Sequence, residues 1–327
     1  MRGRLDASLI AARVAPATSR IGIVPTITTT HTEPFHVSKT IASLDFASTG
    51  RAGWRAQVGA RAGEAGLFGR RELPRLTFED LRTPEGQARI AELFDEAADH
   101  VEVVRRLWDS WEDDAEIRDA ATGRFIDREK LHYIDFSGAH FSVRGPSITP
   151  RSPQGQPPVV ALSHQTATHR FAARSADVVL ITPQTVEDVA GVVRELRAAQ
   201  AEAGRAEERL LVFGEFVVFL DEDPAEALAR KERLDEAAGE PYRSDAPIFT
   251  GSPTALADQL AAWAEAGLDG FRLRPATVPH DLAAITDKLV PQLQARDLFR
   301  RAYGADTLRW LLGFERPANR YAAAIAA

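Results

Sequence analysis

No cysteine occurs in the 327 residues. That removes disulfides, thiolate nucleophiles and cysteine-ligated zinc or iron–sulfur clusters together. Long apolar runs are missing too: nothing approaches the roughly 18 consecutive apolar residues that a membrane span needs. The most apolar segment, Leu210 to Leu220, is short and carries Glu215 at its centre. There is no basic excess, because 40 Lys+Arg stand against 47 Asp+Glu for a formal net charge of -7. Nothing broad attracts phosphate backbones or anionic lipid, so neither nucleic acid nor a membrane is an expected partner. The opening MRGRLDASLIAARVAP has Asp6 and Arg13 around its apolar part and no clean signal-peptide core; with no address signal, the expected compartment is the cytoplasm. A P-loop, a G-x-G-x-x-G turn, a G-x-S-x-G elbow and an H-E-x-x-H pair are all absent, which weighs against Walker-type ATP binding, Rossmann NAD binding, α/β-hydrolase chemistry and a zincin site. His31/His36 and His164/His169 are five apart, not the four that align two ligands on a helix face, so no metal site is expected.

What is there is core material: 44% hydrophobic and 27% charged residues are proportions of a globular chain. The segment DASLIAARVA from Asp6 has helical spacing and ends at Pro16. A β-branched run from Arg20 to Thr29 reads as a strand, Phe35 to Ala47 as an amphipathic helix, and Ala52 to Val58 as a second strand. Thr83 followed by Pro84 starts a long helix to about Trp111. Strands follow at Pro158–Leu162, Asp177–Thr182, Leu210–Leu220 and from Gly270. Helices run over Gln165–Ser175, from Thr185 to Gly204, from Asp223-Pro224, from Ser252-Pro253 to Gly267, and from about Leu282 to Arg296. Six strands, each followed by a helix, imply a parallel sheet with helical crossovers. Without a Gly-rich dinucleotide turn, a (β/α)8 barrel with about six of its eight units is favoured over a doubly wound sheet. The whole chain, 1–327, reads as one domain, with irregular insertions at about 61–82, after the Trp54 strand, and 113–157, before the Pro158 strand. The Ala-rich end is expected to fray.

A barrel carries its site at the carboxyl ends of its strands. The group Ser163-His164-Gln165-Thr166-Ala167-Thr168 stands between a strand and a helix start, where free N–H groups and the positive dipole end favour a phosphate. The same residue types are also ordinary helix caps. Thr26 to Thr30 offer hydroxyls at another strand end, though threonine favours strands for its own reasons. Arg55 and Gln57 share one face of the Trp54 strand, and a barrel interior needs a reason to hold both. Glu215 is either a general base or, more simply, a satisfied interior carboxylate. Trp108 and Trp111 read as helix packing.

Several segments carry more than periodicity: TSRIGIVPTITTTHTEPFHVSKTIASLDFASTGRAGW, HVEVVRRLWDSWEDDA, SGAHFSVRGPSITPRSPQGQPPVV, RFAARSADVVLIT, GSPTALADQLAAWAEAGLDGFRL and VPQLQARDLFRRAYGADTLRWLLG. In content, order and spacing they resemble the flavin-dependent monooxygenases of the bacterial luciferase-like superfamily, in particular its nitrilotriacetate and dibenzothiophene-sulfone monooxygenase branch. The resemblance implies a luciferase-like (β/α)8 fold and reduced FMN, supplied by a separate flavin reductase, that reacts with O2 to oxygenate a small organic substrate. It also implies a homodimer. Carried over by position, Thr28, Arg55 and Gln57 lie along the isoalloxazine, and Ser163, His164, Gln165, Thr166 and Thr168 hold the FMN phosphate. No catalytic acid or base is identified.

The departures are specific. Trp54-Arg55-Ala56-Gln57-Val58-Gly59 stands where the branch has Trp-Asn-x-Val-Thr-Ser. Leu162-Ser163-His164-Gln165 replaces an Ala-Gly-Ala-Ser stretch, and a flavin-side tyrosine appears as Phe94. The segment around Asp6 corresponds to the helix before the family's third strand, so two βα units, roughly 60 residues, are expected to be missing. Either the reading frame begins upstream or the chain is a truncated member. The alternatives to an FMN enzyme are an oxidoreductase using the deazaflavin F420 on the same barrel, and a non-catalytic flavin-binding protein.

Overall fold

The computed structural model describes residues 3, 5–75, 77 and 79–322; the Ala-rich end expected to fray lies, from 323 on, outside the described residues. They fall into two compact units, the first within Met1–Ala161, Arg174–Asp177 and Gly304–Ala327, the second within Leu162–Ala173 and Val178–Tyr303.

In the first unit, Asp6 caps α1 (Ala7–Val14) by accepting hydrogen bonds from the Ser8 and Leu9 amides at 2.8 and 3.0 Å, and Pro16 sits in the 3-10 turn that ends it. The expected strand from Arg20 is shorter than its composition suggests. Only β1 (Thr26–Thr28) makes a ladder, preceded by one bridge, Ile23↔Ala52. Pro25 has no N–H to donate, so regular pairing restarts after it. Helix α2 (Pro34–Ala47) begins on a proline and leads through Gly50, at φ 86°, into β2 (Trp54–Gln57). The loop expected at 61–82 contains a short helix, α3 (Ala62–Phe68). Then comes α4 (Pro84–Asp109), capped by the Thr83 hydroxyl, which accepts from the Gly86 amide at 3.1 Å.

The insertion before the Pro158 strand folds into two hairpins, β3 (Glu116–Asp119) with β4 (Arg124–Ile126) and β5 (Phe136–Ser137) with β6 (Ser142–Val143). Antiparallel pairing among the described residues is confined to these and to the bridge Trp111↔Leu131. Strand β7 (Val159–Ser163) pairs in parallel with β2, Trp54 opposite Val159, and β2 pairs in parallel with β1, Thr28 opposite Gln57. The two tryptophans read as packing do pack: Trp108 Nε1 donates to Ser38 O at 3.0 Å and Trp111 Nε1 to Ser147 O at 2.7 Å.

The second unit contains α5 (Thr166–Ser175), β8 (Val178–Ile181), α6 (Val186–Glu202), β9 (Leu211–Leu220), α7 (Pro224–Ala238), β10 (Ile248–Gly251), α8 (Pro253–Glu265) and β11 (Gly270–Pro275). Helix α9 (His280–Ala284) passes through a π-helical turn, Ile285–Leu289, into α10 (Val290–Ala295). Thr185 and Asp188 form the expected capping box of α6. Strand β9 is buried along nearly its whole length, as an apolar run broken only at Gly214 and Glu215 requires of a strand covered on both faces. Phe213 is registered to Leu180 on β8 and to Gly270 on β11, and Val217 to Ile248 on β10 and Arg274 on β11. Hence β8 and β10 share one edge of β9, and β11 takes the other. Strand β10 is a seventh parallel strand that the sequence did not announce: four residues long, after a proline and ending on a glycine. No helix among the described residues is long and apolar enough to cross a membrane.

A buried amide ties the first unit together. Gln154 Nε2 donates to Asp45 Oδ1 at 2.6 Å and to Ala52 O at 2.7 Å, its backbone N–H donates to Asp45 Oδ2 at 3.1 Å, and its Oε1 accepts from the Arg309 amide at 2.7 Å. Burial pushes the Asp45 carboxyl up in pKa, and the hydrogen bonds from Gln154 oppose it. Gln154→Ala removes three buried hydrogen bonds, leaving Ala52 O and the Arg309 amide unmet while Asp45 Oδ1 keeps the Ala52 amide at 3.2 Å. At about 1 kcal/mol or more each, it is expected to lower the unfolding free energy by about 3 kcal/mol, read as a lower urea midpoint at unchanged slope.

Candidate functional site

The residues singled out in the sequence divide between the two units. In the first, the parallel register brings the carboxyl ends of β1 and β2 level. Trp54 and Ala56 are buried beneath the sheet, while Arg55 and Gln57 occupy the opposite, accessible face; Arg55 Nη2 donates to Gln57 Oε1 at 3.4 Å. Thr28 Oγ1 is buried without a hydrogen-bond partner. Immediately beyond, the Thr32 hydroxyl donates back to Thr28 O, folding the chain so that His31 follows in the same turn. His31 is 2% exposed, and both its ring nitrogens lack partners. The Phe68 ring at the end of α3 stacks on it, centroids 4.9 Å apart and planes 17° apart. Burial holds the imidazole below its ordinary pKa, against an opposing pull from Glu64, with Arg71 and Arg70 adding to the drop and Glu96 resisting it.

Behind these strand ends, α4 contributes Phe94, half-buried, and two buried ionisable residues. Glu96 accepts a forked pair of bonds from Arg71, one of them from Nη1 at 2.6 Å. His100, 1% exposed, lies 5.7 Å from the Trp54 ring and meets Phe141 edge-on at 6.3 Å. Its Nε2 has no partner. Neither His31 nor His100 stood out among eight scattered histidines. The usable signal was only the rule that strand ends carry sites.

In the second unit, the turn after β7 has a definite internal order. The Thr168 hydroxyl accepts from the His164 amide at 2.9 Å and the Gln165 amide at 3.0 Å, donates to Gln165 O at 2.7 Å, and lies 3.1 Å from Ser163 Oγ. Ser163 and Thr168 are therefore turned inward and fasten the loop. The side chains of His164, Gln165 and Thr166 face outward. His164 Nδ1 is 2.9 Å from Thr182 Oγ1 at the end of β8. Because α5 starts at Thr166, the amides of its first turn point out of the helix end without intrahelical acceptors. An anion placed there would meet N–H donors and the positive end of the helix dipole.

Glu215, fully buried on β9, is a satisfied carboxylate: Arg272 Nη1 and, at 3.2 Å, Arg274 Nη1 donate to it from β11.

Known proteins resemble the chain in sequence and in fold. The family model described as luciferase-like monooxygenase matches residues 1–235. The chain is 31% identical to nitrilotriacetate monooxygenase component A of Aminobacter aminovorans, over 97% of this chain and 81% of the relative. It is 30% identical to N-acetyl-S-(2-succino)cysteine monooxygenase of Bacillus subtilis (strain 168), over 98% and 83%. Among solved structures, riboflavin lyase with modified FMN and riboflavin superposes with a TM-score of 0.83 at 26% identity, covering 98% of this chain and 80% of that one.

Burial lowers the pKa of His100 from 6.5 to about 3, a hydrogen bond with the Thr29 backbone opposing the drop and Arg70 adding to it. As pH falls, the unfolded chain takes up this proton first. The stabilisation is complete above the unfolded value of 6.5 and is lost as pH falls from there towards 3, at roughly 1.4 kcal/mol per pH unit. His100→Phe is expected to flatten the pH dependence of urea unfolding between pH 6.5 and 5 by about that slope. Parallel curves for the two proteins would contradict it.

Proposed function

The chain belongs to the luciferase-like monooxygenase family, and we propose on that premise that it is a flavin-dependent oxygenase of a small organic substrate, using reduced FMN delivered by a separate reductase together with O2. The observation that carries the reading is the turn at 163–168, whose amides are ordered by Thr168 while the first turn of α5 stays open to an anion. The reductase is supported by a relative that is named as one component of its monooxygenase. FMN is favoured over F420 by the fold's likeness to a protein solved with a modified FMN.

Bound FMN would supply the activation of oxygen; the chain's own residues bind, orient and exclude water. In this reading the amides of Thr166 and Ala167, with the outward groups of His164, Gln165 and Thr166, would hold the phosphate. Ser163 and Thr168 act one step back, fixing the turn. The residues that would meet the flavin ring are Thr28, Arg55, Gln57 and Phe94. Phe94 offers only its aromatic body, having no hydroxyl to donate.

Thr168→Ala removes the common acceptor of two loop amides, and FMN affinity is expected to fall about tenfold or more, equivalent to roughly 1.4 kcal/mol. Thr168→Ser retains the acceptor and is expected to stay near the parent value. Gln165→Ala should have a smaller effect in the same direction. Fluorescence titrations with FMN and, in parallel, with F420 read both the loop and the cofactor. An FMN affinity indifferent to Thr168→Ala would remove the phosphate-loop assignment.

A further inference from the structure

Helix α3 provides the ring that covers His31, and little holds it there. Of Ala62–Phe68 only Ala65 is buried. Leu67 and Phe68 are 88% and 47% exposed. Glycines stand at 59, 63, 66 and 69, and beside the last three there is open space. A seven-residue helix with interior glycines has little stability of its own. Its ties are the Phe68–His31 stack, the solvent-exposed pair of Arg70 Nη2 with Glu33 Oε1 at 2.8 Å, and the Arg71–Glu96 fork. Beneath it lie three buried polar atoms without partners, Thr28 Oγ1 and both nitrogens of His31. Leaving such atoms unmet is costly, and any partner that reached them would be held firmly.

The chemistry of that partner follows from the groups. A neutral imidazole offers one N–H and one lone pair, and a threonine hydroxyl both donates and accepts. Together they suit a flat edge on which carbonyl acceptors and an N–H alternate, as in an imide. We propose that His31 is a ligand-binding residue and α3 its movable cover: when the cover lifts, Phe68 gives way and the pyrimidinedione edge of a flavin ring hydrogen-bonds to His31 and Thr28. This rests on the flavin reading given above, which supplies a ring with such an edge. Gly59 belongs to the same arrangement. A Cβ there would sit 3.0 Å from His31 Nε2 and 3.2 Å from Glu64 Oε2, so a side chain at 59 would press on the ring nitrogen itself.

The absence of cysteine makes the cover testable. Glu33→Cys/Arg70→Cys introduces the chain's only two thiols, at the positions whose ion pair closes α3, and a short bis-maleimide bridges them. The bridged protein is expected to take up FMN at least tenfold more slowly than the same variant left unbridged; equal rates overturn the cover. His31→Phe keeps a ring to stack on Phe68 and removes both nitrogens. It is expected to weaken FMN and riboflavin by the same factor, tenfold or more, with partial recovery in His31→Asn. Thr168→Ala, by contrast, should weaken FMN and spare riboflavin, which has no phosphate. Equal affinities of His31→Phe and the parent for both flavins overturn this inference alone. Failure of the parent chain to bind either flavin overturns the flavin reading and this inference with it.

Discussion

Parallel registration of short strands is the constraint on which the site depends. A parallel pair cannot slip by one residue without turning every side chain to the other face, so the pairing of Thr28 with Gln57 and of Trp54 with Val159 decides at once what is buried and what is presented. Trp54 goes under the sheet, where it packs beside His100. Arg55 and Gln57 come out at the carboxyl end, next to the turn that carries Thr28 and His31. Three-residue and four-residue strands have little else to fix them, and the surrounding loops supply it: Gln154, reaching across from the insertion, holds the end of α2 against the start of β2.

Buried charge follows one rule throughout. Where a carboxylate is taken out of water, it is surrounded by donors that cannot leave. Asp177 accepts from Val159 N and from Arg105, Asp109 from Arg151 and Arg320, Asp281 from Arg230, Thr277 and the Leu220 amide. These residues serve architecture. By contrast, Thr28 Oγ1 and both nitrogens of His31 are buried at the end of β1 without a hydrogen-bond partner.

Much of this was legible in the sequence, for identifiable reasons. Caps such as Asp6, Thr83 and Thr185 announce helix starts because their side chains satisfy amides that nothing else can reach. The apolar run at 211–220 announces β9 because a strand covered on both faces has no alternation to show. The failures are equally physical. Strand β10 is too short and too evenly half-buried for a pattern, and α3 is written in glycine and alanine with a single buried position. At the turn after β7, the sequence showed which residues carry donors but not which way they face. Only the geometry separates inward Ser163 and Thr168 from outward His164, Gln165 and Thr166. That His31 is buried without partners was hidden for the same reason, since whether an imidazole has partners depends on neighbours as distant as Phe68.

Strand β9 has a consequence for how the second unit comes into being. Within that unit, β8, β10 and β11 are each laddered to β9, and among the described residues β10 and β11 have no other strand beside them. Neither β10 nor β11 can find its place until β9 is laid down, and the pairings that follow close loops of different length. Such a hub-and-spoke plan makes assembly hierarchical, with a late, long-range step where β11 docks. It also makes disassembly collective, because a defect in β9 releases β10 and β11 together, whereas a defect in either of them stays local.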